Sequence, residues 1–574
     1  MALGVPSSSP AVIIKEVDAS ASIQTAATTI GGSVGNFRWG PVGTPVTIST
    51  ETELANTFGN PDDAHSIDFH SVAYYLRYAD NLKVVRATNA TAKNAHDADQ
   101  TGTDPAINTA ADWDTQISAR DSDKHTFIAK WPGAMGNSLK VEVCPASSGD
   151  SAFNGWTHKG NFDAAPGTST YASARSGQFD EAHVAVIDED GLFADIGTVL
   201  EVFPFVSLAS DAKAIDGSSS YIKEVVNNGS EYVWMAGFGV TGSKFDSAAG
   251  GTAASTNFSN TTRTSVSLAD GVNAAAMSAG DYQTAFDELE DADTVDVDIL
   301  FTPSMSTGEL TRTVVNDVVA TAEARKDCVV AASPPRSAVV GVNSAATMNT
   351  NVITEANQYT MSNYLVVDNN FLKVYDKYND KFIQIPAASS TAGIMAATDN
   401  NAAPWVSPAG SRRGNYLGIT SVAYSPTKAQ RDALYKAGIN PVANIPGQGV
   451  LLFGDKTHVT KPSAFSRINV RRLFTTLEKA IGDFAKQSLF ELNDEFTRAE
   501  FVNNVEPLLR EVKGRRGITD FKVVCDETNN TPSVVDRNEF VATIFIKPAR
   551  SINFITLNFV ATRTGADFEE VVGI

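Results

Sequence analysis

Short apolar strand patterns lie near both ends of the chain, and each is set apart by a segment rich in Gly, Ser, Thr and Ala. The first spans 9–18, and the second follows a longer strand pattern at 552–562 and a polar joint at 562–566. Terminal residues usually fray unless a partner holds them. We therefore expect both ends to be arms that add strands to a neighbouring subunit's sheet. The residues expected to form these strands are Val12, Ile13, Ile14 and Val17 in the first arm and Phe568, Val571 and Val572 in the second.

The middle of the chain alternates strand and helix patterns. Nearly continuous apolar strands at 295–301 and 328–332 flank a helix pattern at 309–325, which predicts a βαβ unit and a parallel sheet covered by helices. The segments 364–367, 371–375 and 382–386 are expected to add antiparallel strands. Residues 96–185 have many turns and short strand patterns, which predict an inserted all-β domain. Residues 241–280 are rich in Gly, Ala, Ser and Thr and predict a long surface loop.

The C-terminal region has the most regular pattern. One apolar helical stripe comprises Val470, Leu473, Phe474, Leu477, Ile481, Phe484 and Leu489. A capping box from Thr497 to Glu500 predicts the start of a second helix, which Gly514 should end. Strand patterns follow at 521–525, 540–546 and 552–561. The region therefore predicts an α+β domain.

Charge divides the chain into two parts. The 574 residues carry a net charge of −21, which argues against a nucleic-acid or anionic-membrane partner. Residues 461–574 contain 16 Lys and Arg and 16 Asp and Glu, so the whole acidic excess lies in 1–460. Acid is tolerated on a hydrated surface more easily than where subunits touch. We therefore expect the C-terminal domain to lie innermost in an assembly and the insert outermost.

Length and composition narrow the class of protein further. A chain of 574 residues is too long for one ordinary core, so three or more domains are expected. No apolar run is long enough to cross a bilayer, and no secretory signal is visible. Cys144, Cys328 and Cys525 are far apart in apolar settings, which predicts reduced buried thiols rather than disulfides.

The sequence offers little catalytic chemistry. Gly31–Gly35 matches the pattern of a hydrolase nucleophile elbow around Ser33, but that elbow requires a following helix and the next residues read as strand. No Asp and His partners stand out downstream. The seven His are scattered without a helical pair, so a zinc site is not expected. We predict no catalytic, cofactor-binding or metal-binding residues, and no cofactor.

Two pairs of arginines form compact positive spots. Arg471 and Arg472 begin a predicted helix, where cations oppose the helix dipole, and Arg515 and Arg516 lie between two glycines. One interpretation is pairing with acidic residues of another protein or of a neighbouring subunit. The other is a solvated charge or an ion pair within the chain.

An ordered set of motifs resembles the tail sheath proteins of contractile-tailed bacteriophages. The N-terminal part carries a strand opening at Ser9-Pro10-Ala11-Val12-Ile13, a Gly40-Pro41 turn and a Phe58-Gly59 helix stop. The segment 268–271 is similar to the family's Gly/Asp-rich entry to its α/β domain. The C-terminal part contributes 468–473, 517–526, the Asn529-Asn530 pair and 544–548. The resemblance covers both ends and much of the middle of the chain, but not 96–185.

This resemblance implies a structural, polymerising subunit. In that family, subunits form stacked hexameric rings around a rigid inner tail tube, and contraction drives the tube through the host envelope. The terminal arms join C-terminal domains of neighbouring subunits into a mesh that survives contraction. The implied partners are other copies of the chain, the tube protein, and the baseplate and tail terminator proteins, without nucleic acid or membrane insertion. The implied location is the virion, after assembly in the host cytoplasm.

The combined interpretation is a multidomain α+β and α/β protein with five parts. These are an N-terminal arm at 1–22, a central α/β sheath domain at 23–95 plus 186–455, an inserted all-β outer domain at 96–185, an inner α+β assembly domain at 456–563 with exchanged terminal strands, and a C-terminal arm at 564–574. Two alternatives stay open at this stage. One is a sheath subunit of a cellular contractile injection system, and the other is a hydrolase with an α/β core, against which the missing triad counts.

Overall fold

The computed structural model describes residues 29–553 except 98–103, 123–124, 239–244, 246–247, 260–262, 304 and 460. Both predicted terminal arms lie outside the described residues. The described chain divides into two compact units. The large unit contains 29–404 and 408–479, and the C-terminal unit contains 405–407 and 480–553.

The strands are numbered along the chain. They are β1 (Gly31–Gly35), β2 (Val46–Ile48), β3 (Leu82–Arg86), β4 (His96–Asp97), β5 (Phe127–Ala129), β6 (Leu139–Pro145), β7 (Glu181–Asp188), β8 (Val199–Ser207), β9 (Val233–Met235), β10 (Thr264–Ala269), β11 (Ile299–Phe301), β12 (Val329–Ala332), β13 (Leu365–Asp368), β14 (Phe371–Asp376), β15 (Lys381–Pro386), β16 (Ser421–Val422), β17 (Ile439–Asn440), β18 (Val442–Ile445), β19 (Gly449–Leu452), β20 (Ile518–Val524) and β21 (Thr543–Pro548).

The helices are numbered in the same way. They are α1 (Glu51–Phe58), α2 (Ser66–Tyr75), α3 (Ala110–Ser122), α4 (Ser151–Asn154), α5 (Thr170–Ser173), α6 (Ile222–Gly229), α7 (Ala279–Asp287), α8 (Gly308–Arg325), α9 (Arg336–Val339), α10 (Ala345–Ala356), α11 (Ala388–Asn401), α12 (Lys428–Lys436), α13 (Ile468–Gln487), α14 (Glu495–Gly514) and α15 (Pro532–Val535). Short 3₁₀ turns occur at Ala134–Ser138, Ser148–Asp150 and Thr157–Asn161.

The centre of the large unit is a seven-stranded sheet in the order β17-β13-β12-β11-β1-β3-β2. Its pairs are parallel except β2 with β3. The predicted βαβ unit is confirmed as β11, α8 and β12. The prediction that 364–367 is an antiparallel strand is wrong, because β13 pairs in parallel with β12 and only β14 and β15 form an antiparallel hairpin.

Helices cover both faces of this sheet, as expected for strands that are apolar throughout. One face carries Leu300 and Val330 and packs with α7, α8 and α10. The other carries Ile299 and Val329 and packs with α2 and α11. Neighbouring residues of one strand therefore belong to two different cores, which is what the period-2 geometry of a strand requires.

A second seven-stranded sheet, in the order β8-β7-β6-β10-β4-β5-β9, is antiparallel. It extends beyond the insert boundary predicted at residue 185, because β8, β9 and β10 all pair within it. The predicted surface loop at 241–280 therefore contains a sheet strand, β10, that pairs with β6 and β4. The region is also not all-β, since α3 to α6 lie within its sequence and α6 contributes buried Ile222 and Val226 to its core.

Arg86, at the end of β3, connects these two sheets. Its guanidinium is 1% exposed and donates to the carbonyl oxygens of Phe37 (3.0 Å), Gly40 (2.8 Å) and Pro132 (2.7 Å). Burial lowers the pKa of Arg86 to about 9. One buried side chain thus ties the turn after β1 to the segment after β5.

The C-terminal unit contains the end of α13, α14 and a two-stranded sheet of β20 and β21. The predicted apolar stripe falls on α13 from Val470 to Phe484, but its last member, Leu489, lies beyond the helix and is exposed, so that part of the prediction is wrong. The second helix begins earlier than predicted, because Asp494 is its N-cap and accepts a hydrogen bond from the Thr497 amide at 2.8 Å. Of the three predicted strands, the third lies almost wholly outside the described residues.

Candidate assembly surfaces

The sheet of the C-terminal unit is a single antiparallel pair. Phe521 lies opposite Ile546, and Val523 lies opposite Ile544. Within residues 461–553 no further strand pairs with either partner, so among these residues each strand has one edge without a neighbouring strand. Such an edge is a template for an added strand. A two-stranded sheet is also marginal on its own, whereas three or more strands are stable.

The helix α14 supports this sheet from one side. Its buried face consists of Phe501, Val505, Leu508, Leu509 and Val512. The Phe501 ring meets Phe540 edge-on at a centroid distance of 5.4 Å, and Ile518 of β20 is buried. The hairpin is therefore anchored on α14, and within residues 461–553 its outer edges carry no further strand.

The Asn529-Asn530 pair explains one motif of the resemblance in physical terms. The Asn530 side chain donates to the Val541 carbonyl and accepts from the Val541 amide, both at 2.8 Å. The Asn529 amide donates to the Val524 carbonyl at 3.2 Å and to the Thr543 hydroxyl at 2.8 Å. The two asparagines fix the connection between β20 and β21, and with it the spacing of the two edges.

The C-terminal unit exposes unusually large apolar side chains. Phe545 on the outward face of β21 is 58% exposed, and Phe490 before α14 is fully exposed at a φ of +72°. The others are Leu489, Leu492, Phe496, Phe540, Val541 and Ile552. Several exposed apolar side chains in one small unit indicate an interaction surface. The sequence analysis missed Phe490 and Phe496, although both lie outside the apolar stripes of the two helices and could have been noticed on that ground.

The first arginine pair forms ion pairs inside its own chain. Arg471 pairs with Glu478 at 2.9 Å, and its guanidinium lies over the Tyr364 ring at 4.4 Å. Arg472 forms an ion pair with Asp399, and both side chains are 4% exposed. Burial lowers the pKa of Arg472. These contacts agree with the second interpretation of this arginine pair, in which the charges form ion pairs within the chain.

The second arginine pair is on the surface. The Arg515 side chain is 48% exposed, lies 5.0 Å from the Trp405 ring centroid and pairs loosely with Glu511 at 3.5 Å. Arg516 is exposed at a φ of +66°. Gly517 follows and is buried, with so little room that a Cβ would lie 2.7 Å from Val512 Cγ1. The tight turn thus presents two cations to solvent, where another protein can reach them.

Ser33 is not a nucleophile. It lies in the centre of β1, between β11 and β3, and is 1% exposed. Its hydroxyl donates to the Phe301 carbonyl at 3.0 Å. The turn that a nucleophile elbow requires is absent at this position, because Gly31–Gly35 is itself a strand of the sheet.

The described residues form a multidomain protein with an α/β core and a C-terminal unit that carries a two-stranded sheet. Residues 275–458 match the family described as the phage tail sheath protein central domain, and residues 460–562 match the phage tail sheath C-terminal domain. The chain is 34% identical to the tail sheath protein of Enterobacteria phage T4 over 656 aligned positions, covering 99% of both chains. It is 32% identical to that of Vibrio phage KVP40, covering 98% of this chain and 99% of the relative.

Solved structures agree on the fold. The sheath tail protein Lin1278 of Listeria innocua aligns with a TM-score of 0.56 at 12% identity, covering 92% of this chain and 93% of the other. The helical sheath of the anti-feeding prophage in its contracted state aligns with a TM-score of 0.50 at 12% identity, covering 97% of this chain and all of the other.

The chain therefore belongs to the phage tail sheath protein family, as the sequence resemblance predicts. It is a subunit of a contractile tail sheath and a structural component of the virion, not an enzyme. The hydrolase alternative is wrong, and the cellular injection system is not favoured, because near-full-length relatives are phage tail sheath proteins. Within the described residues, no helix is both long and apolar enough to cross a membrane.

Proposed function

We propose that this subunit polymerises as stacked hexameric rings around an inner tail tube and contracts to drive the tube through the host envelope for genome delivery. The observation that carries the proposal is the sheet of β20 and β21, whose outer edges pair with no further strand among the described residues, in a unit rich in exposed apolar side chains. Membership of the tail sheath family supports polymerisation, and the outer edges of β20 and β21 suggest how neighbouring subunits join.

In this proposal the terminal arms complete the sheet. Val12, Ile13, Ile14 and Val17 of one subunit and Phe568, Val571 and Val572 of another add strands to the free edges on a third. Main-chain hydrogen bonds give such additions their affinity, and alternate side chains give them their specificity. Added strands would enlarge the sheet of β20 and β21 toward the size typical of a stable sheet.

The arms are proposed to occupy 1–22 and 564–574, with 456–563 innermost, 96–185 outermost and 23–95 plus 186–455 between them. The neutral charge balance of 461–574 supports the radial order, because acidic surfaces repel one another where subunits touch. Limited proteolysis of assembled tubes tests the order. Early cuts are expected in 96–185, whereas early cuts in 461–574 with the insert protected would reverse it.

The proposed partners of the sheath are the tail tube, baseplate and tail terminator proteins, met in the host cytoplasm during assembly. Arg515 and Arg516 are the proposed contacts to acidic groups of the tube or a neighbouring subunit, because they are exposed cations in the unit placed innermost. Arg471 and Arg472 were the other predicted contacts, and their internal ion pairs leave them less available.

Substitution of the first arm tests strand addition. Proline has no backbone N–H, so I13P/I14P removes a ladder donor whichever of the two amides faces the neighbour. The matched control I13V/I14V keeps both donors and the strand-forming shape. We expect the proline variant to remain folded, with an unchanged melting temperature, and to form no tubes, while the valine variant assembles. Tubes of normal length from the proline variant would refute strand addition by this arm.

Contraction is proposed to preserve the arm contacts while other contacts between subunits exchange. A sheath performs mechanical work only if its extended state is metastable. A disulfide between a cysteine placed in the N-terminal arm and one placed in the neighbour's C-terminal domain should therefore leave contraction intact. A link that leaves the extended tube undistorted but blocks contraction would contradict this persistent mesh.

A further inference from the structure

Two histidines and an aspartate meet in the interior of the second sheet. His96 and Asp97 form β4, and His125 lies two residues before β5, which pairs with β4. The His96 and His125 rings lie 4.7 Å apart between centroids at an angle of 73°. One ligand atom from each of the three residues lies within 4.8 Å of the other two.

Burial makes this arrangement unusual. His96 is 3% exposed, and Asp97 and His125 are fully buried. Within the part of the chain that the structure describes, His96 Nε2 and both ring nitrogens of His125 have no hydrogen-bond partner. Buried polar atoms are nearly always paired, so three such atoms in one place call for an additional group. His183, on β7 of the same sheet, shows the ordinary case: its Nε2 lies 2.8 Å from the Ala164 carbonyl, and its Nδ1 accepts from the Phe205 amide at 3.0 Å.

The surrounding hydrogen bonds orient these groups as ligands. His96 Nδ1 lies 3.2 Å from the Asp97 carbonyl oxygen, and an N–H at Nδ1 leaves a lone pair on Nε2. A ligating histidine usually donates its other N–H to such an oxygen. The Asp97 carboxylate is anchored by the Thr126 amide, at 3.1 Å from Oδ1 and 3.3 Å from Oδ2.

The spacing is close to that of a metal centre. His125 Nδ1 lies 3.6 Å from Asp97 Oδ1, and His96 Nε2 lies 3.6 Å from Oδ1 of Asp104, whose side chain is 55% exposed. Ligand atoms at bond lengths of about 2.0–2.1 Å around a tetrahedral Zn²⁺ are about 3.3–3.4 Å apart. Side-chain rotations that draw together the three ligand atoms, which lie within 4.8 Å of one another, would bring them to coordination distance.

We propose that His96, Asp97 and His125 bind a divalent transition-metal ion, with Zn²⁺ the best fit to two imidazoles and a carboxylate. Asp104, whose Oδ1 lies 3.6 Å from His96 Nε2, borders the site on its solvent side. The buried ligands give the site a structural role: the ion joins β4 to the segment that enters β5. The proposal is independent of strand addition, since all four residues belong to the large unit.

Zinc titration of the full chain tests the proposal. After dialysis against EDTA, calorimetry with zinc chloride is expected to show one tight saturable site. Zinc should also raise the melting temperature of the large unit, which contains the second sheet. His125→Gln should abolish the tight site. Asp104→Asn, at an exposed position, should weaken zinc binding by about 10- to 100-fold. His158→Gln, a partly exposed histidine outside the cluster, is the matched control and should bind as the unsubstituted chain does.

Folded protein without a tight zinc site would overturn the proposal, as would unchanged binding in His125→Gln. Should that variant fail to fold, X-ray absorption of the zinc-loaded unsubstituted chain decides. Two imidazoles in the first coordination shell are the expected result, and a shell of oxygens alone would contradict the site.

Discussion

Replacing Arg472 should destabilise the large unit strongly. Arg472 pairs with Asp399 where both side chains are 4% exposed, and Asp399 also accepts from the Thr29 hydroxyl at 2.9 Å. Arg472→Met removes the cation and leaves a buried carboxylate with one hydroxyl donor. Removing one partner of a buried ion pair costs about 3–5 kcal/mol, because the remaining charge is uncompensated. We expect a loss of this size in the free energy of unfolding.

Denaturant unfolding followed by tryptophan fluorescence measures this loss. Tryptophans report mainly on the large unit, because Trp405 is the only one of the six in the C-terminal unit. The double variant R472M/D399N removes both charges and should recover most of the stability. Arg515→Met, at an exposed cation, is the matched control and should change stability by no more than about 0.5 kcal/mol. An R472M chain as stable as the unsubstituted protein would refute the buried pair and return Arg472 to the candidates for intermolecular contact.

Two further predictions concern stability. Burial raises the pKa of Asp368 to about 7 from 3.8, so the folded state retains a proton that the unfolded state has released between these values. The contribution of this group to the free energy of unfolding is therefore full below about pH 4 and falls by about 4 kcal/mol as pH rises to 7. Asp368→Asn should flatten that part of the curve of stability against pH. Equal slopes for the variant and the unsubstituted protein would contradict this. Gly40 has a φ of +94°, and an added Cβ would lie 2.5 Å from the Thr57 carbonyl. Gly40→Ala should lower the free energy of unfolding, measured by thermal unfolding, by about 3 kcal/mol. The matched control Gly43→Ala should lower it by about 1 kcal/mol, because Gly43 has a φ of +59° and open space around it. Equal losses in the two variants would contradict the clash at Gly40.

The sequence predicted the helices and strands that are defined by the spacing of apolar residues close together in the chain. The βαβ unit of β11, α8 and β12 was predictable because each strand is apolar throughout. The helix between them is also long enough for its apolar residues to repeat visibly at helical spacing. The stripe on α13 was predictable for the same reason. The N-terminus of α14 was misplaced by three residues, because both Asp494 and Thr497 are good caps and the sequence does not show which amide is left free.

Long-range pairing was not predictable from these patterns. The direction of β13 depends on its pairing with β12, and the extent of the second sheet depends on β10, whose alternating pattern TSVSLA lies in a polar, Gly-rich stretch. His96 and His125 are separated by 28 residues in the sequence and share no motif, so only the pairing of β4 with β5 brings them together. The partners of Arg471 and Arg472 were likewise set by tertiary contacts.

Electron microscopy of the purified full-length chain over a range of concentrations tests the central claim, that this protein is a self-assembling sheath subunit, most directly. We expect tubes or stacked six-fold rings to form, because in the proposed assembly the terminal arms add strands to β20 and β21, whose outer edges carry no further strand among the described residues. The same chain without 1–18 should remain soluble and give only dispersed particles. Folded full-length protein that stays monomeric at every concentration, or tubes that form equally well without the arm, would contradict the account.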